Sequence, residues 1–366
     1  MNEQSNSPEP SPGEPVRMLE FSSGGWAILL AVILCAGAAV WHLRFEFPTP
    51  GSLKPGDGRH VETYGFDLAI CTIPREQLVA AGMPKDGVPA LSHPPVLSVA
   101  DVENLNERQR GQYLVPSDRV IGVVISGQAR AYPLRVMNWH EVINDTILET
   151  PLLVTYSPFC DSPAVYRRVV NGETVEFGVS GLMFNSNPLL FDRRANGAGE
   201  SLWSQLLGEA VAGPAAAAGW KLERIPCYLM GYGDWVNEHP GTTVLAPDPR
   251  YKDLYKKNFG NYFGSDVLRF PVSPLPPAPD LPKKTPVIVI RAGGESRAFT
   301  YDAIRGRADT KAGWATAVGD TPVTFRYYPH PPAVIAASND SSKSVEVIYA
   351  FWFAWYALQP DTELAR

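Results

Sequence analysis

A chain of 366 residues with 45% hydrophobic and 19% charged side chains can bury one large or two ordinary cores, which excludes a disordered polypeptide. Its net charge is -6 and no Lys/Arg-dense run occurs, so nucleic acid is not an expected partner. With 31 Gly and 35 Pro the composition favours turns and short strands, and the expected fold class is β-rich α+β.

Residues 1–20 are polar, acidic and Pro/Ser-rich, and read as a disordered tail. Residues 21–43 contain the uncharged run "WAILLAVILCAGAAVW" with Trp26 and Trp41 at its ends, which predicts a single transmembrane helix. The preceding tail carries only Arg17, so an uncleaved anchor fits better than a signal peptide. Arg44, Lys54 and Arg59 follow the helix and, by the positive-inside rule, pull the large domain inward. A short tail before one anchor argues for display outside, and a single-pass membrane protein with an extracytoplasmic domain is the expectation adopted. Residues 44–59 form a linker. Cys35 lies in the anchor, so Cys71, Cys160 and Cys227 leave at least one thiol outside any intrachain disulfide.

Residues 60–269 open with "YGFDLAICTIP", which alternates like a strand, then "REQLVAAGM", a short helix candidate, and the turn-rich "PKDGVPALSHPP". The strand-like run "VIGVVISGQARAYPL" leads into "WHEVINDT". On a helix, His140 and Asn144 share one face and Glu141 and Asp145 another. Asn144 stands where a zinc protease has its second His, so a zincin is excluded. Glu141 and Asp145 are the candidate proton-transfer groups. Next, "LLVTY" runs into the turn "SPFCDSP", which can present Cys160 as a metal ligand or nucleophile. His140 and Cys160 together suit a transition metal, copper, zinc or iron. In "FGVSGLMFNSNPLLFDR", Ser180, Asn185, Asn187 and Asp192 are further polar candidates, but Ser180 lacks a complete Gly-x-Ser-x-Gly elbow. "SLWSQLLGEA" reads as a helix capped by Ser201. Lys256 and Lys257 in "YKKNFGNYF" read as a solvated face. No Walker loop, dinucleotide fingerprint or Cys-x-x-Cys pair is present.

Residues 270–286 hold seven prolines and read as an extended linker. Residues 287–366 read as a degenerate second repeat packed on the first. "DRVIGVVISGQARAYPL" is echoed by "PVIVIRAGGESRAFTY", "TPLLVTYSPFCDSPAV" by "TPVTFRYYPHPPAV", and "ETVEFGVSGLMF" by "KSVEVIYAFWFAW", each about 170 residues on. The second half lacks the His-Glu-x-x-Asn set, which assigns that set to function rather than to the connector. His330 occupies the turn matching that of Cys160 and is a candidate to converge with it. The competing reading is a non-catalytic binding or scaffold module, with the aromatics of "YYPHPP" and "YKKNFGNYF" as its partner surface.

"RAYPLRVMNWHEVINDT", "VTYSPFCDSPAVYRR", "FGVSGLMFNSNPLLFDR", "SLWSQLLGEAVAG" and "FWFAWYALQPDTEL" together resemble the bacterial and archaeal family named domain of unknown function 3179, over about residues 60–364. The resemblance implies a secreted, lipid-anchored or membrane-anchored protein and supplies no reaction. It weights His140, Glu141, Asn144 and Asp145, which match the family's His-Glu-x-x-Asn-Asp pattern. Ser157 stands where members commonly carry the first Cys of Cys-Pro-x-Cys, so dithiol exchange cannot run on this turn.

Overall fold

The computed structural model describes residues 55–108, 113–194, 197, 199–277, 281–308, 313–338, 340 and 342–366. The expected tail, the anchor and most of the first linker lie outside the described residues. Among the described residues no helix is long and apolar enough to cross a membrane. Residues from Lys54 to Arg366 form one compact unit, a β-rich α+β domain.

In chain order, its principal elements begin with β1 (Arg119–Ile125), β2 (Gln128–Pro133), α1 (Leu134–His140), β3 (Val142–Ile147), β4 (Thr150–Ser157) and β5 (Ser162–Arg167). There follow β6 (Phe177–Phe184), β7 (Asn187–Asp192), β8 (Leu202–Ser204), β9 (Ala210–Ala212), β10 (Cys227–Gly231), α2 (Tyr232–Glu238), β11 (Thr243–Leu245) and α3 (Gly260–Phe263). The chain ends with β12 (Pro286–Ala292), β13 (Glu295–Thr300), α4 (Tyr301–Arg305), β14 (Trp314–Val318), β15 (Thr321–Pro329), β16 (Pro332–Ala337), β17 (Glu346–Phe351), α5 (Trp352–Leu358) and β18 (Glu363–Ala365).

One sheet runs β10-β1-β2-β11, antiparallel, antiparallel and then parallel, with Val96–Ser98 at its edge. A later sheet runs β17-β12-β13-β18 with the same senses in the same order. Each parallel strand is reached through a helix tied by one indole bond: Trp235 Nε1 donates to Thr242 Oγ1 at 2.9 Å, and Trp355 Nε1 to Thr362 Oγ1 at 2.9 Å. Gly122 is required under the first of these indoles, because a Cβ there would lie 2.2 Å from the ring of Trp235. Two meanders accompany the sheets, β3-β4-β5 and β14-β15-β16. A shared core packs Val120, Ile121 and Val154 with Ile288, Phe299, Phe325 and Val334, and smaller clusters join Leu206 to Val287 and Cys160 to Phe351. The burial of such side chains, at about 25 cal/mol per Å² of apolar surface, drives the assembly.

Several local expectations are corrected by the sheets. The segment 173–184 is not the counterpart of 343–355: β6 sits in a separate sheet with Leu78–Ala80, β7, β8 and β9, while β17 takes the position β10 has in the first sheet. "YGFDLAICTIP" forms bends with one isolated bridge, Cys71 to Ala212, because its partner strand is already paired on β8. In "REQLVAAGM" a 3-10 turn at Arg75–Gln77 gives way to the strand Leu78–Ala80, drawn out by pairing with β6. "SLWSQLLGEA" is two strand segments around a turn, not a helix, since β8 completes the edge of β7. Ser201 still caps a helix, but a distant one: its Oγ accepts from the Ala215 N–H at 2.9 Å. The Pro-rich segment is no free spacer, since the Phe270 carbonyl accepts from Ser186 Oγ and the Ser273 N–H donates to Asn185 Oδ1.

Candidate functional site

"WHEVINDT" is not one helix. Helix α1 ends at His140 and β3 begins at Val142, because the β-branched Val142 and Ile143 fit a buried strand between β4 and its neighbours better than a helix surface. The expected four-residue helical faces therefore do not exist, and alternate residues of β3 point to opposite sides of the sheet.

Glu141 joins the two elements. Its N–H donates to Met137 O at 2.9 Å and its carbonyl accepts from Tyr156 N at 2.9 Å, which holds its backbone at φ 55, ψ −28. A left-handed residue closing a helix is ordinarily Gly or Asn, and a longer side chain there costs roughly 1–2 kcal/mol. Folding alone would select Gly. Glu141 is 9% exposed, and its carboxyl makes no hydrogen bond or ion pair among the described residues; neither oxygen is fully sealed, so the group keeps an edge open to solvent. Burial pushes its carboxyl from the ordinary 4.5 up to about 8, so it is a neutral acid at pH 7.

His140 points elsewhere. Nδ1 lies 2.7 Å from Pro89 O and Nε2 lies 2.8 Å from Tyr255 Oη. The carbonyl can only accept, so Nδ1 carries the proton and Nε2 accepts from the tyrosine. Tyr251 packs edge-on against the ring at 4.9 Å, and burial lowers its basicity. Both nitrogens are thus occupied within the fold.

Cys160 lies in the β4–β5 turn and is fully buried rather than presented. Phe351, Phe353, Tyr262, Phe263, Leu268 and Val272 surround it. Its carbonyl accepts from Phe351 N at 2.7 Å, and its thiol donates to Ser186 O at 3.2 Å. Burial raises the thiol to about 12, Ser157 and Asn187 oppose that rise, and the nearby charges of Asp161 and Glu141 add to it. The Glu141 carbonyl is tied to the N–H of Tyr156, which leads into the Cys160 turn, and the Ser157 hydroxyl accepts from the Cys160 N–H at 3.3 Å. His140 takes no part in these bonds. Among the described residues no group of three or more His, Cys, Asp or Glu side chains converges to hold a metal ion. With both His140 nitrogens satisfied and the thiol protonated, the expected His140–Cys160 centre does not fit these donors.

The remaining candidates hold the frame. Asn144 clamps the backbone of Phe177, donating to its O at 2.9 Å and accepting from its N at 2.8 Å. Asp145, rather than being free for proton transfer, accepts from Arg130 Nη1 and Tyr132 Oη, each at 2.7 Å. Ser180 Oγ donates to Leu189 O at 2.6 Å and accepts from Leu182 N at 3.0 Å. Asp192 accepts from Ser201 N at 2.6 Å and Arg194 Nε at 2.8 Å. Asn185, left-handed at φ 52, donates to Ala357 O at 3.4 Å. Asn187 donates to Gln205 Oε1 at 2.9 Å. His330 is exposed beside Asp234 on α2 and does not converge with Cys160. The aromatics expected as a partner surface are packed: Tyr327 is buried, and Phe259 contacts Trp139 and Phe159.

Sequence reasoning missed Gln205, which donates to Thr155 Oγ1 at 2.8 Å and Ser162 O at 3.1 Å beneath the Cys160 turn. It also missed Lys284, whose buried ammonium binds the carbonyls of Tyr262, Ser265 and Val267 and pins the segment over Cys160. Gln205 sits in a helix-like pattern and Lys284 in a Pro-rich run, so neither carried a local signal.

The fold and site define a β-rich α+β domain in which, among the described residues, the Glu141 carboxyl makes no hydrogen bond or ion pair and the Cys160 thiol is buried. Residues 85–350 match the model of the family described as protein of unknown function (DUF3179), and the chain belongs to that family. No curated protein and no solved structure matches it.

Proposed function

We propose that the protein is a membrane-anchored, extracytoplasmic domain that holds a ligand through Glu141 in its protonated form. The carboxyl donates a hydrogen bond at neutral pH and can pass its proton to a bound group as a general acid. The observation that carries this reading is the Glu141 carboxyl itself: largely buried, without a partner among the described residues, and set on a left-handed backbone that Gly would adopt at lower cost. Anchoring is supported by the uncharged run within residues 21–43. In this reading residues 60–269 and 287–366 are degenerate repeats. The matching order and sense of their sheets and the paired indole–threonine bonds support that descent. The first repeat alone kept the acid.

Carbon-13 NMR of glutamate-labelled protein, assigned with Glu141→Gln, tests the site. A carboxyl titrating near 8 supports the reading, and one titrating near 4.5 overturns it. Alkaline extraction of membranes tests the anchor: release of the chain into the supernatant would exclude an integral segment.

A further inference from the structure

We propose that the groove between α1, the start of β1 and the segment 255–263 binds an anionic ligand through phosphate or carboxylate oxygens. The groove has a volume of about 420 Å³ and is lined by Arg119, Arg135, Lys256 and Lys257; Asp161 holds Arg119, Asp118 lies 3.5 Å from Arg135 and Asp253 lies 2.7 Å from Lys256, so Lys257 is the cation left without a carboxylate among the described residues. Four cations against these three carboxylates leave the groove locally positive on a chain of net charge -6, and a local potential of that sign favours an anion.

The donors are built in rather than scattered. Arg119 is fixed by a two-point bond to Asp161, at 3.1 and 3.0 Å, and its side chain remains 27% exposed. That leaves donor capacity on a guanidinium already held in one orientation. Lys257 has no ion-pair partner among the described residues, and the Asn138 amide makes no hydrogen bond among them. Phe259 forms an apolar wall, braced by Trp139 and Phe159 with ring centroids at 5.7 Å each. An occupant thus carries its charge at one end and an apolar or planar body at the other. The pair Lys256-Lys257, which reads in sequence as a solvated face, becomes one side of a cleft once α1 packs beside it. The inference rests on this lining and not on Glu141, although Tyr156, whose N–H holds the Glu141 carbonyl, also lines the groove.

Calorimetric titration of the full-length chain in zwitterionic detergent with inorganic pyrophosphate and with trigalacturonate separates phosphate from carboxylate chemistry. The expected result is binding of at least one probe, weakened about tenfold or more by Lys257→Glu and by Arg135→Gln. Lys252→Glu, an exposed charge outside the groove, is expected to change affinity less than about twofold. Thermal melting of each variant confirms folding, and Lys257 is exposed. Binding of neither probe overturns the proposal, and so does an equal loss in Lys252→Glu, which would indicate diffuse charge. Binding retained in Glu141→Gln supports the groove independently of the acid. Binding lost there but unchanged in Lys257→Glu would place the anion at Glu141 and overturn the groove.

Discussion

Replacing Glu141 by Gln should remove a loss of stability that the wild type suffers as pH rises. In the unfolded chain the carboxyl titrates at the ordinary 4.5, and in the folded domain burial moves it to about 8. Below 4.5 both states hold the proton and the group adds no pH dependence. Between 4.5 and about 8 the folded state holds a proton that the unfolded state has released, so stability falls by about 1.4 kcal/mol per pH unit. The accumulated loss reaches about 5 kcal/mol near pH 8 and is constant above it. Gln carries no such slope. Its amide lacks the partners the carboxyl also lacks, at a pH-independent cost of about 1–3 kcal/mol. The protonated carboxyl carries a similar cost, so the variant should lie near the wild type at pH 5 and be more stable than it at pH 8. Urea unfolding of the Lys54–Arg366 unit across that range gives both curves, and all other titrating groups cancel in their difference. Parallel curves would refute the reasoning, because they would mean that Glu141 ionises alike in both states.

Further outcomes follow from the contacts around the site. Asn144→Leu removes both bonds to the Phe177 backbone and leaves a buried N–H and C=O unpaired, so a loss of about 2–5 kcal/mol is expected in urea unfolding; under 1 kcal/mol would mean that water replaces the amide. Native Cys160 should react with a maleimide far more slowly than the partly exposed Cys71, because its thiol is sealed and pushed up to about 12; mass spectrometry of labelled peptides reads the ratio. Lys284→Met should speed Cys160 labelling by releasing the carbonyls of Tyr262, Ser265 and Val267, and an unchanged rate would show that the cover stands without the ammonium. Trp235→Phe and Trp355→Phe each delete one indole bond to threonine and should cost about 1 kcal/mol each beyond the change in packing.

Much of the architecture was legible along the chain. The hairpin β1–β2, the strand into the Cys160 turn, and the echo of both in the second half rest on local alternation and turn residues, which act within a few positions. The concentration of polar groups in "WHEVINDT", and its loss in the second half, singled out without any coordinates a set of four residues, His140, Glu141, Asn144 and Asp145. What the sequence could not reveal was which of those groups were spoken for. Asn144 finds the Phe177 backbone 33 positions away, and His140 finds Tyr255 at a separation of 115. Such partners exist only once the sheets close.

By itself, then, the sequence determined the β-rich class, the places where the chain turns, and the short list from which a site could be drawn. Tertiary structure decided that α1 stops at His140, that Asp145 serves Arg130 and Tyr132, that Cys160 is sealed, and that the Glu141 carboxyl is left without a partner among the described residues. The physical reason is that periodicity and turn propensity are local. Desolvation and hydrogen-bond satisfaction depend on segments far apart in the chain, and those two quantities separate a reactive side chain from a structural one.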